Sequence, residues 1–146
     1  MNKLIVLGAN ADIGFNIASM YLDEGFEVIG TYRKENDNSK KLEDRKNIEL
    51  IRCNLLDKKA NQDFLSQIKE RNFLWTNFFS SIGSSEPIGN FFDLDFEDWE
   101  RSININFTRQ LELIHGLYVL NQSIGSRDSW HTSLVHHFDC IGLIAH

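Results

Sequence analysis

Gly8 and Gly14 bracket the segment Gly-Ala-Asn-Ala-Asp-Ile-Gly, directly after the apolar run Leu4-Ile5-Val6-Leu7. A short apolar run bounded by glycine reads as a strand buried on both faces. Beyond it, Ile13, Ile17, Ala18 and Tyr21 fall on one side of a helix that Asp12 or a neighbour can cap. Strand, glycine-bounded loop and helix together aim backbone N–H groups and the positive end of a helix dipole at one point, which suits a phosphate. The expectation is a dinucleotide-binding βαβ unit. Two glycines fit either three-glycine spacing, with Asp12 or Ala11 in the middle place. A carboxylate at Asp12 suits a pyrophosphate neighbour only if it points away or caps its own helix.

The second chemical signal is basic. Phe26-Glu27-Val28-Ile29-Gly30-Thr31 reads as a second strand, and Tyr32-Arg33-Lys34 follows it. A dinucleotide fold places an acidic residue near this point to hold the ribose 2′-hydroxyl. A guanidinium there suits a 2′-phosphate instead, through charge-assisted paired bonds. Arg33 is therefore expected to contact a 2′-phosphate, which favours NADP(H) over NAD(H).

These residues need a scaffold, and the rest of the chain supplies one. Residues 35–47 read as a polar loop with a weak surface helix around Leu42. Ile48–Cys53 reads as a third strand, residues 58–71 as a helix with Phe64, Leu65 and Ile68 on one side, and residues 73–79 as a fourth strand. Cys53 reads as a small buried residue at a strand end. The order βαβαβαβ predicts an α/β fold, a Rossmann-like doubly wound parallel sheet with the cofactor at the carboxyl ends of the strands. After Pro87 and the acidic run 93–98, Ile103, Phe107, Leu111, Ile114 and Tyr118 form an apolar stripe along a long helix, with Asn104 and Asn106 beside it.

Bulk properties narrow the function classes. At 146 residues the chain is one domain by size, and 42% apolar with 25% charged residues is ordinary for a globular protein. A net charge of −6 gives no electrostatic support to a nucleic-acid partner. No apolar run approaches membrane-spanning length, the N-terminus lacks a signal-peptide pattern, and Cys53 and Cys140 suggest no disulfide framework. The expected location is the cytoplasm, away from membranes.

In combination these motifs resemble the short-chain dehydrogenase/reductase (SDR) family, in its shorter single-domain branch. Gly8–Gly14 looks like the family's glycine-rich loop, and Arg33, 19 residues past Gly14, stands where NADP-preferring members often carry a basic residue. Asn54 takes the place of the aspartate directed at the adenine ring. Ser80-Ser81-Ile82-Gly83 stands where the family has Asn-Asn-Ala-Gly. The segment Trp99 to Phe107 resembles the family's Trp-x-x-x-x-x-x-Asn stretch and makes Asn106 the match for the catalytic asparagine. The resemblance implies an NAD(P)(H)-dependent oxidoreductase that moves a hydride between nicotinamide and a carbonyl or hydroxyl carbon of a small-molecule substrate. The cofactor contacts it implies are Gly8, Asn10, Asp12, Ile13, Gly14, Arg33, Asn54, Leu55, Ser81 and Gly83. It also implies that the 103–118 helix packs against a second subunit.

The resemblance covers residues 3 to about 120 and then stops. The family's chemistry needs a tyrosine with a lysine four residues on, yet Gly25, Asn36 and Gln122 follow Tyr21, Tyr32 and Tyr118 at that distance. Without that pair no group is tuned to exchange the alcohol proton near neutral pH. Residues 1–124 are thus expected to form the cofactor-binding region, and 125–146 a divergent tail with a candidate fifth strand at 133–138. Within the tail, Ser133, Asp139 or Cys140 could stand at the position of the family's serine. His131, His136, His137, His146 and Cys140 match no standard zinc spacing, so no metal site is assigned. The expected picture is a truncated or frame-altered SDR, inactive alone. The alternative is a non-catalytic NADP-binding or scaffold protein.

Overall fold

The computed structural model describes residues 2–125. Among them four strands form one parallel sheet in the order β3-β2-β1-β4: β1 Lys3–Leu7, β2 Glu27–Tyr32, β3 Ile48–Arg52 and β4 Asn77–Ser80. The connecting helices are α1 Asp12–Asp23, α2 Asp37–Glu43 and α3 Lys58–Glu70; α4 Phe96–Ile103 and α5 Arg109–Ile124 follow β4. This is the expected Rossmann-like α/β layout. The candidate fifth strand at 133–138, the serine-position candidates and the histidine cluster lie outside the described residues.

Side chains alternate along β1 and divide the core in two. Ile5 and Leu7 face α3 and α5 and pack with Phe64, Ile68, Leu113 and Leu117. Leu4 and Val6 face the other way, onto Ala18, Leu22 and Leu42 of α1 and α2. An apolar run with no polar interruption is what a strand with helices on both faces requires. Each fully buried aliphatic side chain of this kind contributes roughly 1.5–3 kcal/mol. Leu42, the lone large apolar residue of the polar 35–47 stretch, is fully buried and pins the weak helix.

Two expectations need correction. The fourth strand begins at Asn77 rather than Phe73. Asn72 takes a positive φ and turns the chain, Phe73 N–H closes back on the Ile68 carbonyl at 3.2 Å, and the Phe73 ring is buried against the core. An apolar run signals burial here without signalling a strand. The long helix is also interrupted: residues Asn104–Thr108 form a π-helical turn between α4 and α5. The face of α5 turned to the sheet carries Leu113, Leu117 and Asn121. Ile103, Phe107, Leu111 and Tyr118, four of the five stripe residues, instead face outward.

Cys53 follows β3, buried, with its thiol donating to Asn61 Oδ1 at 3.4 Å. Burial first, and the nearby Asp57 carboxylate second, push the thiol from its ordinary 9.0 up to about 11. The folded chain therefore keeps a proton that the unfolded chain has released. The stabilisation from this group is complete below about pH 9 and is lost as pH rises through about 11. Denaturation midpoints measured from pH 8 to 11 should fall more steeply for the wild type than for Cys53→Ala, by on the order of 2 kcal/mol in total. Equal slopes would mean that the thiol ionises freely in the fold.

Candidate cofactor site

The site begins where β1 ends. Gly8 adopts φ +74°, a left-handed conformation that favours glycine, and its N–H donates to Thr31 Oγ1 at 3.1 Å. Ala9 N–H donates to the Thr31 carbonyl at 2.7 Å, so the loop stays joined to β2. The chain then turns straight into α1. At Gly14 an added Cβ would lie 2.1 Å from the Gly8 carbonyl oxygen and 2.5 Å from Ser81 Oγ. Helix and loop touch backbone to backbone.

The N-terminus of α1 is open. Its N-cap is Ala11, which has no side chain to satisfy the first N–H groups, and Asp12 does not cap the helix. By contrast α2 and α3 are capped by the side chains of Asn36 and Asp57. Unsatisfied N–H groups at a helix start attract anions. The Asp12 carboxylate lies toward α2, where Asn38 Nδ2 approaches its Oδ1 at 3.4 Å. That placement points the negative charge at a neighbouring amide.

Beside this opening, the loop after β2 is tied down by two amides: Asn10, expected as a cofactor contact, and Asn36, which sequence reasoning missed. Asn10 Nδ2 donates to the Lys34 carbonyl at 2.7 Å, and the Asn10 carbonyl accepts from Asn36 Nδ2 at 2.9 Å. The Asn10 side chain therefore joins the glycine loop to the basic loop. Arg33 is exposed, and Arg52, at the end of β3, donates from Nε to the Arg33 carbonyl at 3.3 Å. Two guanidinium-bearing residues thus meet at the carboxyl ends of β2 and β3. No spacing rule flags Arg52; only the β2–β3 register, which pairs Tyr32 with Arg52, brings it there.

At the end of β3, Asn54 is exposed, and its Oδ1 accepts from Leu56 N–H at 3.3 Å in a turn. The Leu55 side chain is part of the core, so only its backbone faces the loops. Ile13 is 60% exposed at the start of α1. On the far side of β1, Ser81 N–H donates to the Leu7 carbonyl at 2.9 Å, and Ser81 Oγ lies 2.7 Å from the Gly8 carbonyl. The loop after β4 reaches the π-helical turn through Asn106. Its Oδ1 accepts from Ser84 N–H and its Nδ2 donates to the Ser84 carbonyl, both at 2.8 Å, while Ser102 Oγ lies 3.2 Å from Nδ2. Gly83 faces the same amide: a Cβ added there would sit 3.4 Å from Asn106 Oδ1.

The structure thus gathers Gly8, Asn10, Asp12, Gly14, Ser81 and Gly83 around the ends of β1 and β4, with Arg33 and Asn54 at the ends of β2 and β3. A family model described as enoyl-(acyl carrier protein) reductase matches residues 8–126. The chain belongs to the short-chain dehydrogenase/reductase family. Members of this oxidoreductase family bind nicotinamide cofactors and act on small molecules. Among solved structures, an SDR from Saccharomyces cerevisiae is 18% identical with a TM-score of 0.72, over 85% of this chain and 50% of that one. A short-chain dehydrogenase from Leptospira borgpetersenii with bound NAD+ is 17% identical with a TM-score of 0.72, over 82% and 45%. Serine dehydrogenase from Escherichia coli is 19% identical with a TM-score of 0.70, over 81% and 55%. These likenesses show the fold, and the chain spans about half the length of the structures it matches. No curated protein sequence matches it.

The contact at Gly14 gives a direct test. Gly14→Ala forces a methyl group into backbone atoms that cannot swing aside, so it should destabilise the fold by roughly 1–3 kcal/mol. Gly25→Ala, where nothing lies within 4 Å of the added Cβ, should cost only the strain of its positive φ. Equal losses in chemical denaturation would count against the close approach.

Proposed function

We propose that residues 1–124 form the cofactor-binding region of an SDR-type oxidoreductase that prefers NADP(H), and that the chain is inactive alone. The observation that supports this most is the uncapped start of α1 beside the Gly8–Gly14 contact, with Arg33 at the end of the neighbouring strand. The helix start would take the pyrophosphate, Arg33 the 2′-phosphate and Asn54 the adenine side. When bound, the cofactor would supply a hydride for a carbonyl or hydroxyl carbon of a small molecule. Inactivity rests on the absence of any tyrosine with lysine four residues on. Asn106 has every polar atom of its side chain engaged by Ser84 and Ser102, which supports a role in holding the loop after β4 rather than in carrying protons through its amide.

Titration with NADPH and NADH tests the cofactor preference. NADPH should bind more tightly, and Arg33→Ala should weaken NADPH by roughly ten- to a hundredfold while leaving NADH nearly unchanged. Equal affinities for the two nucleotides in the wild type would overturn the NADP assignment.

A second reading, a non-catalytic NADP-binding or scaffold protein, is favoured by the outward apolar row. Ile103, Phe107 and Tyr118 are 57%, 50% and 47% exposed along one side of the α4–α5 segment. Exposed rows of this size mark association surfaces, and this one would pair two copies in the cytoplasm. Among the described residues no helix is long and apolar enough to cross a membrane. Sedimentation should show a concentration-dependent dimer that Phe107→Lys shifts to monomer. A monomeric wild type at high concentration would remove the pairing.

A further inference from the structure

Gln110, in the first turn of α5, sits where the loop after β4 meets the π-helical turn. Its side chain makes more connections than any other amide at the site. Oε1 accepts from Ser80 Oγ at 2.8 Å. Nε2 donates to the Ile82 carbonyl at 2.8 Å and to the Ile105 carbonyl at 3.0 Å, and the Asn106 carbonyl lies 3.4 Å away. An amide NH2 has two hydrogens, so Ile82 and Ile105 take the principal bonds and Asn106 shares one.

The placement explains the break in the helix. In the π-helical turn Arg109 N–H bonds to the Asn104 carbonyl, five residues back. The carbonyls of Ile105 and Asn106, which then face the following turn, are met by the Gln110 side chain. A side chain inserted into the helical ladder is one of the few physical causes of such a distortion. The same amide reaches out of the helix to Ser80 and Ile82, at the end of β4 and just beyond it. Asn106 clamps Ser84 two residues further along. Two amides four residues apart thus hold one loop at three points.

We propose that Gln110 is a positioning residue for the nicotinamide half of the cofactor, acting through the 80–84 loop and Asn106. The inference rests on the cofactor reading above. The strand order decides which half is affected. Arg33 and Asn54 lie at the ends of β2 and β3, on one side of β1, so the adenosine half extends that way. A dinucleotide crossing the end of β1 must send its other half over β4, the strand whose loop Gln110 holds.

The test compares NADPH with 2′,5′-ADP, which carries the adenosine half and the 2′-phosphate but no nicotinamide. Gln110→Met keeps the length of the side chain and removes both polar atoms. It should weaken NADPH roughly tenfold and leave 2′,5′-ADP within about twofold of the wild type. A purely structural defect would weaken both ligands together, and that result, or no change for either, would overturn the proposal. Ser80→Ala removes only the bond to Oε1 and keeps the donors of Gln110. If Gln110→Met fails to fold, Ser80→Ala must still show a loss confined to NADPH, about twofold, and an equal loss or none would overturn the proposal. A wild-type chain that binds neither ligand overturns the cofactor reading and the inference with it. A wild type that binds both, with variants indistinguishable from it, overturns the inference alone.

Discussion

The contact on which the site depends is the meeting of Gly14 with the Gly8 carbonyl, where no side-chain atom fits between helix and loop. It fixes how steeply α1 leaves the end of β1. It also brings the uncapped first turn of that helix to the rim of the sheet, between the loops that follow β2 and β4. Ser81 completes the junction, since its N–H bonds to Leu7 and its hydroxyl sits against the Gly8 carbonyl. The glycine loop with its helix and the distant Ser81 therefore share one carbonyl-centred corner. A methyl group at Gly14 would have to move backbone, and one at Gly8 would press on the Ser81 and Ile82 side chains.

Around that corner the connections are made by neutral amides and hydroxyls. Asn10 joins the glycine loop to the basic loop, while Asn106 and Gln110 join the loop after β4 to the helix. Neutral donors and acceptors suit this task. They fix half-buried loops without adding charge beside the uncapped start of α1, and buried polar groups so paired avoid the cost of desolvation. The fixed charges, Arg33 and Arg52, stay exposed at the strand ends.

Much of this was legible in the sequence, for physical reasons. The run Leu4–Leu7 announces a strand covered on both faces, and Gly8 and Gly14 announce the glycine-bounded loop between that strand and its helix. The parallel α/β class follows from the alternation of such runs with helical patterns. What could not be read was geometry that depends on two segments at once. Phe73 is apolar because it plugs the core below the sheet, which looks the same in sequence as a strand residue. The stripe from Ile103 to Tyr118 has clean helical spacing, but a π-helical turn and a second apolar row at Leu113 and Leu117 put most of it outside. Arg52 and Gln110 have no motif. Each acquires its place only through pairing with a partner many residues away.

The strand order carries a consequence for how the chain assembles. β1 precedes the other described strands in the chain but lies between β2 and β4, and its pairing with β4 joins residues such as Leu4 and Asn77 that are 73 positions apart. β2 can dock as soon as the first crossover is complete. One edge of β1 must then wait for the whole of α2, β3 and α3 before its partner exists. Closing a loop of that length costs entropy that local contacts cannot repay. During synthesis β1, the most apolar of the described strands, therefore waits with one flank bare until β4 has been made. The corner at Gly8, which needs Ser81 to be complete, is among the last parts of the sheet to form.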